Sequence, residues 1–389
     1  MQYIVSLGAG EEQVFGIKTA ISSGLKVIAF DIKECDYNIV KPDIFYQVSI
    51  HEKEKIAEIL KQYDICGVLP SPVGRNITTV GYLNDYFGLK GPSFYACDTC
   101  SDKLKNNQYL EKINLPFPKI YDIDNIVFPA LLKPRFGSGS RNVQVVYNKK
   151  EFEDIYNSYD NSYGEYLIQE YIQGVEYGCD IILRDGNIDL INIRSKQLTQ
   201  EPFRQETAYM MPADISHTDF NIIKNTLSAY ILNLNVQDAV FNADIILSDD
   251  KAYIIDISPR AAGLNIISKF VVLCYGFNIY EYYINILLNK PNKPVTIPKD
   301  KYALLEYITY ENITINKTVD IKKLREKYNI LYIESNIMEG TFMGKIVNSF
   351  DVLKRGYYII ESNSLDELSK RNNDILNELT GGNNESIRY

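Results

Sequence analysis

The stretch Leu131-Leu132-Lys133-Pro134 followed by Gly137-Ser138-Gly139-Ser140 decides how this chain is read. An apolar strand ends in a lysine, and a glycine-serine loop comes directly after it. Glycine lets backbone N–H groups approach a ligand closely, so such a loop can surround the oxygens of an anion such as phosphate. Lys133 would offer a point charge to the same oxygens, and Lys103, at the start of an earlier helix, a second. A loop of this composition is also an ordinary hairpin turn; the Lys-Pro pair before it favours the ligand-binding reading.

Downstream the chain continues with Gln169-Glu170-Tyr171-Ile172, then Gly174-Val175-Glu176, then Phe241-Asn242-Ala243-Asp244 and Ile255-Asp256-Ile257-Ser258-Pro259-Arg260. Ala239 to Leu247 and Ala252 to Ile257 read as a hairpin turned at Ser248-Asp249-Asp250-Lys251, so cross-strand pairing can bring Asp244 and Asp256 to one face. Asn242 shares the face of Asp244, and Ser258 that of Asp256, by the two-residue period of a strand. Two carboxylates and two neutral oxygens suit magnesium, which takes few protein ligands and completes its shell with phosphate and water. A solvated acidic hairpin is the competing reading, against which stands the apolar run Tyr253-Ile254-Ile255-Asp256-Ile257, where an unpaired carboxylate is costly. Arg260 could neutralise a transferred phosphoryl group or an acyl phosphate; a salt bridge to one of the two aspartates is the alternative. No GxxxxGK[ST] motif occurs, which excludes a P-loop.

The rest of the composition bounds the function. A net charge of −9 over 389 residues lacks the concentrated basic face that nucleic-acid binding needs, so a small-molecule substrate is expected. No segment approaches the ~18 apolar residues of a spanning helix, and the N-terminus lacks a basic leader; a cytoplasmic protein is expected. Six scattered cysteines read as reduced thiols. Cys97-Asp98-Thr99-Cys100 lacks the further ligands a zinc site requires, with only His51 and His217 in the chain, and reads as core or helix-start cysteine.

The first ninety or so residues alternate short apolar strands (Tyr3–Leu7, Val27–Asp31, Phe45–Val48, Cys66–Pro70) with helical patterns, the signature of a doubly wound parallel sheet. Gly8-Ala9-Gly10 with Asp31 imitates a dinucleotide fingerprint, but Gln13 stands where the third glycine belongs; the turn could still hold another anion. Pro70-Ser71-Pro72-Val73-Gly74-Arg75-Asn76 closes the fourth strand, where Arg75 could grip a substrate carboxylate. Lys196, Arg204 and Glu206, in the polar run before Pro212, could line the opposite wall; surface loops are the competing reading for all of these. Boundaries fall near residues 95 and 295, giving an N-terminal Rossmann-like domain (1–95), a central domain (96–295) and a small α+β domain (296–389) with strands near 302–309, 330–334, 343–348 and 357–361 and helices near 320–328 and 365–379.

On these motifs the chain resembles the ATP-grasp superfamily, in its carbamoyl-phosphate-synthase-like and carboxylate-amine ligase branch. The resemblance spans nearly the whole length and implies a pre-ATP-grasp sheet, a two-lobed grasp and a small C-terminal domain. It implies that Lys103 and Lys133 bind the phosphates of ATP, that the loop Gly137 to Ser140 closes over them, and that Gln169, Glu170, Tyr171, Ile172 and Glu176 hold adenine and ribose. The paired acidic ligands for Mg2+, with Mn2+ as an alternative, fall on Asp244 and Asp256. The usual third ligand, an asparagine, is Ser258 here, and the second acid, commonly glutamate, is the shorter aspartate. The implied chemistry is activation of a carboxylate as an acyl phosphate, with Lys133 and Arg260 at the reacting group, and displacement by an amine. Bicarbonate activation by a carboxylase or carbamoyl-phosphate former is the alternative, as are a phosphotransferase and a non-catalytic ATP-binding module. Small-molecule carboxylate and amine partners are expected, and a homodimer is left open.

Overall fold

The apolar runs of the N-terminal segment pair as four parallel strands, β1 (Tyr3–Leu7), β2 (Lys26–Asp31), β3 (Ile44–Gln47) and β4 (Ile65–Val68), in the order β3-β2-β1-β4. The structure is a computed structural model that describes residues 2–137, 139–158, 165–293, 295 and 301–380. Alternate residues of β1 enter different cores: Val5 and Leu7 pack with Ile28, Phe30 and Val80, whereas Ile4 packs with Val27, Ile284 and Leu287. A strand buried on both faces reads as a continuous apolar run, which is why these strands were legible.

The dinucleotide-like turn is filled by the protein itself. The Ala9 N–H donates to Asp31 Oδ2 at 3.0 Å and the Gly10 N–H to Gln13 Oε1 at 3.1 Å, while Gln13 Nε2 donates to the Pro72 carbonyl at 2.8 Å. Those two amides are therefore engaged by side chains, and the anion-binding use left open for this turn is corrected accordingly.

The glycine-serine loop joins the strands β5 (Ala130–Pro134) and β6 (Gln144–Val146), and β7 (Tyr166–Glu170) completes a three-stranded antiparallel sheet in the order β6-β5-β7. The remaining strands are β8 (Val175–Arg184), β9 (Asn187–Leu198), β10 (Glu206–Met211), β11 (Ala239–Ser248), β12 (Lys251–Ser258), β13 (Tyr302–Tyr307), β14 (Ile313–Thr314), β15 (Tyr332–Ser335), β16 (Phe342–Met343) and β17 (Gly356–Ser362). β14 and β16 form a two-stranded ribbon; the others make one eight-stranded sheet, β12-β11-β8-β9-β10-β13-β17-β15. The C-terminal segment thus extends the sheet that carries the Asp244–Asp256 hairpin.

β10 explains that continuity. The run Glu206-Thr207-Ala208-Tyr209-Met210-Met211, read from sequence as a polar connection, pairs with β9 on one side and β13 on the other. Ala208 enters the core beneath the C-terminal helix Leu365–Leu379, whereas Tyr209 and Met211 enter the core shared with the N-terminal domain. Two further elements differ from the sequence reading. Residues before Asp102 form a separate helix, Phe94–Ser101, with Cys97 and Cys100 buried along it, and Ser349–Arg355 is helical.

Candidate active site

The register of the β11–β12 hairpin sets Asp244 directly opposite Asp256, and Asn242 opposite Ser258. Directly opposed residues of an antiparallel pair share a face, so both carboxylates line one cavity of about 420 Å3. Next along the sheet Asp244 faces Gly178 of β8, and Gly178 faces Arg194 of β9. A side chain at Gly178 would not fit, because a Cβ there would lie 2.9 Å from Arg194 Nη2. Arg194, 1% exposed, forms a buried ion pair with Asp180, 2% exposed, and this pair underlies the cavity floor. Removing either partner would leave an uncompensated buried charge, at a cost of about 3–5 kcal/mol.

Lys133 reaches the cavity from β5 and is 3% exposed. Burial, reinforced by the charge of Lys103 and opposed by Asp256, pushes its ammonium down to about 7. Lys103 sits at the cavity mouth and donates to the Gly137 carbonyl at 3.1 Å. The backbone that carries both lysines is braced by Arg135, whose guanidinium grips Asp102 through two bonds of 2.8 and 2.7 Å; Asp102 in turn caps the helix Lys103–Lys112.

The loop is held from the far end of the chain. The Ser349 N–H donates to the Gly139 carbonyl at 3.3 Å, and Gln205 Nε2 donates to the Ser140 carbonyl at 3.1 Å. Gly139 has φ +70°, and a Cβ on it would fall 2.7 Å from Ser349 Oγ, so both conformation and space require glycine there. Gly137, Gly139 and Ser140 line the cavity; Ser138 lies outside the described residues.

Lys196 stands across from Lys133 in a different setting. Its Nζ lies 2.9 Å from Asp244, 3.2 Å from Glu206 and 3.7 Å from Glu176. Burial disfavours its charge, but the carboxylates outweigh burial and hold it well above the usual lysine range. Glu176 also accepts from Arg204 at 2.5 Å. Lys196, Arg204 and Glu206, proposed from sequence as wall residues, all line the cavity with Glu176.

The chain end of β12 meets the N-terminal domain through the Ala261 N–H, which donates to the Pro70 carbonyl at 2.8 Å. This seam brings Arg260 and Glu12 to the same end of the cavity. Arg260 Nη1 donates to the Ala261 carbonyl at 2.8 Å. Glu12, from the first turn of the helix Glu11–Ser22, accepts from the Leu264 N–H at 3.4 Å. Burial raises its carboxyl above the usual range, while Leu264 and Arg260 pull the other way.

Tyr171 and Ile172 line the cavity beside Leu131 and Ile246, an apolar stretch of wall. Gln169 is 3% exposed and pairs with Leu131 across β7 and β5, and Glu170 Oε2 accepts from the Lys119 N–H at 3.0 Å; neither is among the lining residues. Ser258 is also outside the lining, where its cross-strand partner Asn242 is found. Arg75 is exposed and stacks on Phe136, 3.6 Å from the ring centroid, away from the wall. Sequence reasoning missed Glu12, Arg194, Tyr209, Ser349 and Leu353, which line the cavity. The GxG turn and the first-turn glutamates gave a local signal for Glu12, but its place opposite Arg260 depends on the seam between Pro70 and Ala261.

The residues present fit a triphosphate and a divalent cation. Lys133 is a buried amine with no hydrogen-bond or ion-pair partner among the described residues, the state expected of a group whose counter-charge arrives with a ligand. Asp244 and Asp256 offer paired carboxylates on the same cavity, the hard oxygen donors that a divalent cation such as magnesium takes alongside substrate and water oxygens.

Residues 126–268 match the family described as ATP-grasp domain. The chain is 23% identical over 336 residues to the L-arginine-specific L-amino acid ligase of Bacillus subtilis, covering 80% of this chain and 79% of that protein. It is 24% identical over 275 residues to the carbamoyl phosphate synthase large chain of Clostridium acetobutylicum, covering 63% of this chain but 24% of that one. In fold it resembles the crystal structure of L-amino acid ligase from Bacillus licheniformis, with a TM-score of 0.80 at 16% identity over 97% of this chain and 98% of that one. Residues 126–268 are an ATP-grasp domain, and the chain's relatives lie in the carbamoyl-phosphate synthase and carboxylate-amine ligase branch of that superfamily.

Proposed function

We propose that this protein is an ATP-dependent carboxylate-amine ligase that forms an amide or peptide bond and releases ADP and phosphate. The observation that carries the reading is the convergence on one cavity of Lys103, Lys133 and the glycine loop, the Asp244–Asp256 pair, and Arg260. A carboxylate oxygen attacks the γ-phosphorus of ATP, giving an acyl phosphate and ADP; an amine then attacks the acyl carbon, expels phosphate and loses a proton. Lys133 and Lys103 hold the phosphates, and catalysis is largely positioning and charge neutralisation. Asp244 and Asp256, with Asn242 on the same face, would hold Mg2+, which when bound would supply positive charge to offset that of the phosphates. Arg260 sits where it can stabilise the acyl phosphate. The apolar wall of Leu131, Tyr171, Ile172 and Ile246 suits a planar base, and Glu176 suits the ribose once Arg204 and Lys196 yield to it.

The names of the relatives support a ligase over the bicarbonate-activating alternative, since an amino acid ligase is matched over 80% of this chain and 79% of that protein. The test is ADP release with Mg2+ and ATP when a carboxylate and an amine are supplied separately and together. Release that needs both supports the ligase, release with bicarbonate alone supports the carboxylase class, and no release with any acid leaves an ATP-binding module.

A further inference from the structure

The strands that carry the active cavity bear a second cavity on their other face. β10 is bulged, its register against β9 shifting between Glu206 and Ala208. A bulge re-aims side chains: Glu206 and Tyr209 line the active cavity, whereas Thr207 and Met210 line the second one. Residues of β9, β10, β13 and the C-terminal helix Leu365–Leu379 enclose it, with a volume of about 330 Å3, and it shares no lining residue with the active cavity. Glu306 of β13, 6% exposed, is the only charged side chain lining it among the described residues. Cross-strand pairing sets Glu306 opposite Ala208 on one side and Tyr358 on the other. The Tyr358 hydroxyl donates to Asn372 Oδ1, which turns the amide so that Nδ2 donates to Glu306 Oε2 at 3.0 Å. Thr207, 5% exposed, makes no side-chain hydrogen bond among the described residues. A buried hydroxyl left without a partner costs stability, and this one lines a space where a ligand can serve it.

We propose that this second cavity binds a small organic cation, an amine whose ammonium group pairs with Glu306 and whose carbon skeleton packs on Met210, Leu304, Leu368 and Leu376. A few polar groups set in an apolar wall are the usual make-up of a small-molecule site, and the volume falls at the lower end of such sites. At the ~30 Å3 that one water occupies in the liquid, it admits about ten non-hydrogen atoms. No lysine, arginine or histidine is among the lining residues, so the cavity favours a cation over an anion. A few Å from a carboxylate that is shielded from water, this preference exceeds the ~1 kcal/mol of bulk solvent. The inference is independent of the ligase reading, because the two cavities lie on opposite faces of the sheet and nucleotide occupies neither Glu306 nor Thr207 in that reading.

The test uses the full-length protein and calorimetry with four probes, phenethylamine, tyramine, cyclohexylmethylamine and hexylamine, each beside a carboxylate of the same skeleton. The expected result is that at least one amine binds with a Kd below about 1 mM, that its matched carboxylate binds at least about tenfold more weakly, and that a saturating non-hydrolysable ATP analogue with Mg2+ does not displace it. Glu306→Gln should weaken the amine by about 10- to 100-fold, the range of a charge-assisted hydrogen bond. Ser369→Trp, at an exposed position of the C-terminal helix on the cavity rim, should block the amine while ATP-analogue affinity stays unchanged as proof of fold. If Glu306→Gln fails that fold control, Ser369→Trp decides alone. The proposal is overturned if no amine binds below about 1 mM, if amine and carboxylate bind alike, if the ATP analogue displaces the amine, or if Ser369→Trp leaves amine binding intact.

Discussion

Two buried lysines face the same cavity and are held in opposite electrostatic states. Around Lys133 burial and Lys103 push the ammonium down to about 7, with Asp256 the single opposing charge. Around Lys196 three carboxylates within 2.9 to 3.7 Å hold the charge in place although its side chain is also shielded from solvent. The difference teaches that burial does not decide the charge of a lysine; its partners do. Lys196 is completed by the protein, whereas Lys133 has no partner among the described residues, so the first is a satisfied cluster and the second is the group that the proposed nucleotide would complete.

That contrast can be broken at several points. The largest effect is expected from Lys196→Met, which leaves Asp244, Glu206 and Glu176 crowded without their cation and should cost about 3–5 kcal/mol of stability, read by denaturant unfolding; an unchanged midpoint would show that the cluster is solvated. Asp256→Asn should lower Mg2+-dependent ADP formation by at least about a hundredfold, since a metal contributes several kcal/mol to phosphoryl chemistry, and retention of turnover would remove the metal role. Lys133→Ala should weaken ATP binding by about 10- to 150-fold, corresponding to about 1.5–3 kcal/mol for a charged hydrogen bond, measured by titration calorimetry.

The charge state of Lys133 also makes nucleotide binding depend on pH. Because its ammonium titrates near 7 in the free protein, it is charged below that pH and neutral above it. ATP affinity should therefore fall as pH rises from 6 to 8, and at pH 8 binding should take up as much as about one proton, because the phosphates restore the charge. Calorimetry in buffers of different ionisation enthalpy reads this directly; binding without proton uptake would mean that Lys133 is already paired. The smallest effect belongs to Arg75→Ala, which removes an exposed stack on Phe136 and should change KM for the carboxylate substrate by no more than about twofold, as for a surface position.

How much of this was legible varies with the element. The β5 strand, the glycine loop and the β11–β12 hairpin were readable because their signals are local: a lysine closing an apolar run, a loop of small residues, and an alternating pattern around a turn of Ser248 to Lys251. The directly opposed pair Asp244 and Asp256 followed from that turn. β10 was not readable, because a strand buried on both faces with Glu206 and Thr207 at its head shows neither alternation nor a clean apolar run. Arg75 illustrates a position whose use local pattern leaves undecided. It sits at the chain end of a parallel strand, the usual place for a ligand contact, but a tertiary neighbour, Phe136, offers its ring instead.

By itself the sequence determined most of the order of elements, the lysine that closes β5, the glycine loop after it, the paired acids and the arginine that follows them, since each depends on residues a few positions apart. Only the tertiary structure decided the charge state of Lys133 and Lys196, the clamp from Gln205 and Ser349 onto the glycine loop, and the meeting of Glu12 with Leu264. Those features rest on pairs such as Lys196–Asp244, Gln205–Ser140 and Glu12–Leu264, which lie 48, 65 and 252 positions apart, and which side chains share a cavity at such separations is set by sheet order and domain seams, which local pattern does not encode.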